Sequence, residues 1–302
     1  MKSRLFSNLF YYARLLRIMS WPKNFFVFVP AVFARQIFDP ISFATALSGF
    51  FTFALASSMV YVFNDIVDAP KDAIHPLKKE RPIAKGNIPA AHAKLLTVFL
   101  FILLASVTFV MNPFFMIIVW LYVLINILYT EFLKKIVIVD IFCIASGFML
   151  RVIGGGLLIS VNISKWLILT TMFLSLFLAV MKRRVEIANS PDAGEQRSVL
   201  KDYSLNFIDQ IAAMTGSGVI LSYALYSVAD RTVSVFGTER LVFTTLFVIF
   251  GIFRYMYLVY KKDKGENVIE VLLTDLPMVI NFILYAGTAI FIIYFHKNYK
   301  PF

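Results

Sequence analysis

Polar and apolar positions alternate along this chain in long blocks rather than in narrow stripes. Nine apolar segments, 23–38, 42–63, 93–111, 113–131, 137–158, 165–182, 208–229, 238–260 and 277–296, are separated by shorter charged stretches. A bilayer core about 30 Å thick takes roughly 20 apolar helical residues, and open strands could not satisfy their backbone groups there. The blocks therefore predict an all-α integral membrane fold with nine transmembrane helices in one domain over 1–302. The first segment is short, and Asn112-Pro113 marks a tight turn between the third and fourth. Ahead of them, Leu5, Leu9, Tyr12, Leu16 and Met19 recur at helical spacing, flanked by Arg4, Arg14 and Arg17, and Trp21-Pro22 follows. This predicts an N-terminal interfacial helix over 1–20 and an aromatic anchor at the entry to the first span.

Composition agrees. The 302 residues are 60% apolar and only 16% charged, with 32 phenylalanines; a soluble domain is nearer half apolar and a quarter charged. A single cysteine, Cys143, excludes an internal disulfide framework and a cysteine zinc site, and His75, His92 and His296 are too scattered for a His-rich one. The basic N-terminus lacks the short apolar core of a cleavable signal peptide, so none is expected.

Charge then gives orientation. Most of the 29 basic residues fall in the N-terminal segment and in the stretches after the second, fourth, sixth and eighth segments. Basic excess marks the cytoplasmic side, which predicts the N-terminus inside and the C-terminus outside. Of the 18 acids, only Asp39, Asp230 and Glu239 lie on the other face. Membrane insertion explains the bases but gives no reason for carboxylates beside them. A face rich in both signs suits a metal and an anionic ligand.

The sharpest acidic feature ends the second segment. Asp65, Asp68 and Asp72 are spaced i, i+3, i+7, which stacks them on one side of a helix. Neighbouring carboxylates repel unless a cation neutralises them, and oxygen-only ligands select a hard ion, Mg²⁺ or Mn²⁺. A solvated helix end is the plain alternative. Pro70 is expected to break or kink the helix and leave Asp72 on the following loop. That loop, within 64–92, carries Lys78, Lys79, Arg81 and Lys85 among three prolines, a spacing suited to phosphate or to an ordinary positive-inside loop. His75 reads as a packing or capping residue.

Further along, Tyr129 and Lys134 close the fourth segment and Asp140 opens the fifth. Asp140 and Arg151 are eleven residues apart, about 16 Å along one side of a helix, with Gly147 between them. Either a ligand site or a structural pair with tight glycine packing fits. The third cytoplasmic stretch gives Lys182, Arg183 and Glu186, where a phosphate seat or an i, i+4 pair of Lys182 with Glu186 are the alternatives.

Asn64-Asp65-x-x-Asp68-x-x-x-Asp72 resembles the first acidic motif of the UbiA superfamily of intramembrane prenyltransferases. The continuation His75-Pro76…Arg81-Pro82-Ile83-Ala84-x-Gly86, the run from Tyr129 through Lys134 to Asp140, Ser146-Gly147-Phe148-x-x-Arg151 and Lys182-Arg183-x-x-Glu186 look like the branch containing decaprenyl-phosphate phosphoribosyltransferase. Superfamily members acting on aromatic acceptors carry a second Asp-x-x-x-Asp at this point; here Ile144 follows Asp140 at i+4. The resemblance implies a UbiA-like helix bundle in the plasma membrane. It implies phosphoribosyl pyrophosphate and a polyprenyl phosphate lipid as substrates, Mg²⁺, no nucleic acid, and leaves homo-oligomer formation open. In these terms Asp65, Asp68 and Asp140 are the catalytic candidates and Asp65, Asp68 and Asp72 the metal ligands. Lys23, Asn64, Lys78, Lys79, Arg81, Lys134, Arg151, Lys182 and Arg183 are the phosphate-binding candidates, with Tyr129 and Glu186 beside them. An aromatic prenyltransferase using an isoprenyl diphosphate is the alternative, and a transporter with an acidic cation site is a rival from another class.

Overall fold

A computed structural model describes residues 2–74, 78–188, 198–262, 271 and 274–295. His75 and Pro76 of the resemblance lie outside the described residues. All regular structure among those described is helical. The N-terminal α1 spans Lys2–Leu15, and a 3₁₀ helix over Ile18–Phe28 runs directly into the short α2, Val29–Phe33. Then follow α3 (Pro40–Asp72), α4 (Ala90–Phe109), α5 (Pro113–Glu131), α6 (Val139–Leu158) and α7 (Lys165–Ala188). The chain continues through α8 (Leu205–Val228), the short α9 (Asp230–Phe236), α10 (Thr245–Lys262) and α11 (Leu276–Ile290). Local chemistry sets several starts. Asp39 accepts from Ser42 N at 2.8 Å ahead of Pro40, and the Asn112 side chain caps Phe114 N ahead of Pro113. Asp275 likewise caps Met278 N.

Among the described residues eight helices are long and apolar enough to cross a membrane, and the chain is a multi-pass membrane protein. They answer to eight of the nine expected segments. The remaining one, 23–38, is the shorter apolar element Ile18–Phe33, whose first eleven residues are 3₁₀. Because a 3₁₀ helix rises about 2.0 Å per residue against 1.5 Å for α, that element is still roughly 30 Å long.

The packing falls into two units, one made of Met1–Val32, Gln36–Lys134 and Leu150–Val161, the other of Phe33–Arg35, Lys135–Met149 and Asn162–Phe302. The first unit is built on α3, α4 and α5 and the 3₁₀ element, around Leu15, Val27, Phe53, Leu104, Phe115 and Val119. Its inner contacts are close enough to demand glycine. A Cβ on Gly155 of α6 would lie 2.1 Å from the carbonyl oxygen of Val27, and one on Gly49 of α3 would lie 2.4 Å from Leu158 Cδ1. On α1 and the residues just after it, Tyr11, Tyr12, Leu15 and Leu16 face this core, while Leu9 and Met19 stay exposed. The face buried in protein is thus centred on Leu15, outside the expected stripe. In the second unit α7 and α8 pack along their length around Phe177, Met181 and Ile208, with Tyr255, Leu258 and Met278 closing the core. Ile144, at the place of the absent second acid, packs against that apolar cluster.

Candidate active site

Helix α3 has 33 residues, about 50 Å by its 1.5 Å rise, so it outruns a hydrocarbon core of about 30 Å. Its last turns carry Asn64, Asp65, Asp68 and Asp72. Contrary to expectation Pro70 does not end it; the helix continues to Asp72. Proline there forfeits one bond, to the Ile66 carbonyl, on an exposed last turn where water can take its place. Asp65 and Asp72, two turns apart, consequently share one side of the helix, and both are buried. Asp68, one turn from Asp65, is angled away from their line.

A cation meets each of the three. Arg81 Nη1 donates to Asp72 Oδ2 at 2.6 Å and to Asp65 Oδ1 at 3.2 Å, so two carboxylates converge on a single nitrogen. Arg17 Nη2 donates to the same Asp65 oxygen at 2.6 Å and its guanidinium lies 4.6 Å from the Tyr61 ring centroid. Lys134 Nζ donates to Asp68 Oδ1 at 2.8 Å. Asn64 Oδ1 accepts from Thr130 Oγ1 at 3.1 Å, which ties the motif to α5. Arg81 is aimed by its own loop: Arg81 N donates to Lys78 O, Ile88 N to Pro82 O, and Ile83 and Ile88 are buried in the core. Lys78 is half-buried and Lys79 exposed, and Lys85 pairs with Glu80 at the surface. Tyr129, one residue before Thr130, is half-buried.

Arg17 was not among the expected site residues, since its place beside an apolar stripe reads as a flank of an interfacial helix. It occupies the corner between α1 and the 3₁₀ element with φ 50° and ψ 49°, a left-handed conformation costing a non-glycine residue roughly 1–2 kcal/mol. The corner is pinned from three sides. Ser58 Oγ donates to Leu16 O at 2.8 Å, Trp21 Nε1 donates to Ser58 Oγ at 3.1 Å, and Arg17 holds Asp65. Such strain persists where surrounding contacts over-determine it, and it delivers a guanidinium to Asp65. Deeper on the same element, Lys23 is half-buried, and Arg151 Nε donates to Asn24 Oδ1 at 2.7 Å.

Among the described residues no three acidic, histidine or cysteine side chains are close enough to hold one metal ion. A two-carboxylate site is nonetheless present in outline: Asp65 and Asp72 already surround one positively charged atom, and an oxygen-only donor set fits Mg²⁺. Asp68 faces Lys134 instead.

The other expected cluster belongs to the second unit and is closed. Arg183, with no exposed surface, donates from Nε to Asp140 Oδ2 at 2.5 Å and pairs through Nη1 with Glu186. Tyr203 Oη donates to Asp140 Oδ1 at 2.7 Å while accepting from Ile138 N at 2.5 Å. Burial, and next the bond to Asp140, push the Tyr203 phenol well above its ordinary pKa. Ile138 has φ 70°, a conformation a β-branched residue rarely adopts, so the turn into α6 is also held under strain. Asp140 and Arg183 thus neutralise one another, and the Glu186 carboxylate also goes to Arg183. Lys182 is half-buried beside them. Asp140 and Arg151, expected on one side of α6, serve different networks.

Comparison with known proteins agrees with this architecture. The UbiA prenyltransferase family matches residues 24–283. A decaprenyl-phosphate phosphoribosyltransferase of Corynebacterium glutamicum is 31% identical over 218 residues, 70% of this chain and 66% of that protein. The protein of the same name from Mycolicibacterium smegmatis is 28% identical over 293 residues, 93% of this chain and 92% of that one. Among solved structures, a UbiA homologue from Archaeoglobus fulgidus bound to GPP and Mg²⁺ superposes with a TM-score of 0.70 at 18% identity, covering 94% of this chain and 99% of the other.

Proposed function

We propose, on the premise that the chain belongs to the UbiA prenyltransferase family, that this transferase moves 5-phosphoribosyl from phosphoribosyl pyrophosphate to a polyprenyl phosphate. The carrying observation is the convergence of Asp65 and Asp72 on one cation position, with Arg17 and Arg81 beside it. Such an end suits a metal-bound diphosphate, and the two named relatives bear this activity in their names. Ile144 in place of a second Asp-x-x-x-Asp acid, packed into an apolar core, disfavours an isoprenyl diphosphate donor with two full acidic motifs.

Asp65 and Asp72 would hold Mg²⁺ in the exchange that releases Arg81 from them. The bound ion would supply charge neutralisation for the departing pyrophosphate. Arg81 and Arg17, freed from the carboxylates, would turn to the same oxygens with their planar fork of donors, and Lys78, Lys79 and Lys134 lie on adjoining segments. A phosphate oxygen of the lipid attacks ribose C1 as the C1–O bond to pyrophosphate breaks, and the electron pair leaves with pyrophosphate. The transition state has oxocarbenium character, so charge stabilisation contributes most. The acceptor is already an anion, so no side chain has to remove a proton. Direct displacement inverts C1. Asp140, locked to Arg183, Glu186 and Tyr203, would set the shape of α6 and α7 rather than touch substrate.

The basic excess on this side supports a cytoplasmic position for this end of α3 and the N-terminus, in a protein of the plasma membrane. Ile18–Phe33 makes the ninth crossing, and α1 lies at the interface. The test is transfer of label. Purified protein with Mg²⁺ receives labelled phosphoribosyl pyrophosphate and polyprenyl phosphate, and a parallel reaction receives isoprenyl diphosphate with an aromatic acid. Label entering the lipid in the first alone supports the assignment. Product in the second alone overturns it.

A further inference from the structure

Seven residues of 3₁₀ helix beyond Arg17, about 14 Å at 2.0 Å per residue, lies Asn24, which has no exposed surface. Its Oδ1 is taken by Arg151, but its Nδ2 donates to nothing among the described residues. Arg151 is itself buried. It donates from Nη2 to Tyr122 Oη at 3.2 Å, and its guanidinium lies 4.7 Å from the Tyr122 ring centroid and 5.5 Å from that of Phe53. Lys23 adjoins this group and lies within electrostatic reach of both Arg151 and Arg17. Two cations and an amide donor with no acceptor thus meet deep in the first unit, where burying charge is costly and marks a functional site. An acceptor-only anion completes the set: its oxygens would take the idle Asn24 N–H, the Arg151 fork and the Lys23 ammonium.

We propose that Lys23, Asn24, Arg151 and Tyr122 form the seat of the acceptor lipid's phosphate, separate from the donor's seat at Asp65 and Asp72. The assignment deepens the proposed reaction and rests on it. Displacement at C1 requires the attacking oxygen on the face opposite the leaving pyrophosphate. Lys23 and Asn24 lie along the 3₁₀ element from the Arg17 corner that meets Asp65, so an anion held by them is set apart from a pyrophosphate at the acidic end of α3. The surroundings are apolar, as a polyprenyl head requires: Phe53 and Tyr122 meet edge to face at 5.6 Å beside Arg151. Tyr122 and Asn24 act here by orienting Arg151 and by direct donation, with no bond made or broken on either.

The experiment measures equilibrium binding of three probes to the purified full chain: farnesyl phosphate, inorganic phosphate, and phosphoribosyl pyrophosphate with Mg²⁺. Asn24→Leu, close to isosteric, should weaken farnesyl phosphate about tenfold or more, the scale of a lost hydrogen bond to a charged group. Affinity for phosphoribosyl pyrophosphate should stay within about twofold. Tyr122→Phe keeps the ring packing and should give a smaller loss in the same direction, which covers poor folding of Asn24→Leu. In steady-state assays the acceptor KM should rise while the donor KM holds. Weakened donor binding with farnesyl phosphate unaffected would overturn the proposal, as would unchanged binding of both. Inorganic phosphate competing as strongly as farnesyl phosphate would also overturn it, reducing the cluster to a general anion site. Failure of the wild-type protein to transfer label would instead sink the proposed reaction while this binding comparison still reads out.

Discussion

Replacing Arg81 by glutamine removes the group that Asp65 and Asp72 share. Arg81 contacts both carboxylates, and the side chains of Asp65 and Asp72 are only 3% and 6% exposed. A hydrogen bond to a charged group contributes about 1.5–3 kcal/mol. Asp65 keeps Arg17, so the loss falls chiefly on Asp72, and the 26% exposure of Arg81 lets water offset part of it. A destabilisation of about 2 kcal/mol follows, which lowers the apparent melting temperature of a 302-residue chain by roughly 3 °C in EDTA. The same free energy no longer opposes metal entry, so Mg²⁺ should bind Arg81→Gln roughly 30-fold more tightly than the wild-type protein. Thermal unfolding across a Mg²⁺ titration reads both quantities. The variant should start lower, respond at lower Mg²⁺ and recover most of the deficit. A variant that Mg²⁺ stabilises no more than wild type would refute the placement of the ion between Asp65 and Asp72, however inactive the variant proves.

Other substitutions probe the remaining parts. Asp65→Asn should abolish label transfer while the protein stays folded by size exclusion; full activity would remove Asp65 from the metal site. Arg17→Gln should raise the KM for the sugar donor several-fold with little change for the lipid, and an unchanged donor KM would reduce Arg17 to a structural corner. Asp140→Asn removes one of the two carboxylates that meet buried Arg183 and leaves Glu186 as its counter-charge, a loss of about 1.5–3 kcal/mol; its signature is a fall in melting temperature, and a stable but inactive variant would return Asp140 to the chemistry. Gly155→Ala puts a methyl 2.1 Å from the Val27 carbonyl and should lower yield or melting temperature sharply, whereas a normal protein would show that this contact can open.

Much of the fold was legible because lipid imposes a strong rule: spans must be helical, long and apolar, and eight of the nine expected segments are such helices. The first is the instructive departure, since hydropathy counts residues and is blind to a 3₁₀ rise that lets sixteen of them cover more distance. Pro70 misled in the opposite sense, because its cost depends on how exposed its turn is. At the site, helical period puts Asp65 and Asp72 on one side of a helix although Pro70 argued for a loop at Asp72, and the proline-braced loop marked Arg81 for phosphate and not for these carboxylates. Arg17, Asn24, Tyr122 and Tyr203 followed from neither. Their partners lie 48, 127, 29 and 63 residues away, and no local period announces such a meeting. The one available signal was an uncommon run, Arg17 to Asn24, in which a base, a tryptophan, a proline, a lysine and an asparagine interrupt the entry to an apolar segment. Arg183 shows the converse: its motif is plain, yet its side chain is wholly used within the second unit.

The most direct measurement is the position of the cation itself. Mn²⁺, substituted for Mg²⁺ as an anomalous scatterer, should give a peak in crystals grown with phosphoribosyl pyrophosphate. The expected peak lies between Asp65 and Asp72, against the donor's pyrophosphate, with Arg81 swung off both carboxylates. A pyrophosphate bound elsewhere, or those two aspartates still clasping Arg81 in the donor complex, would contradict the account.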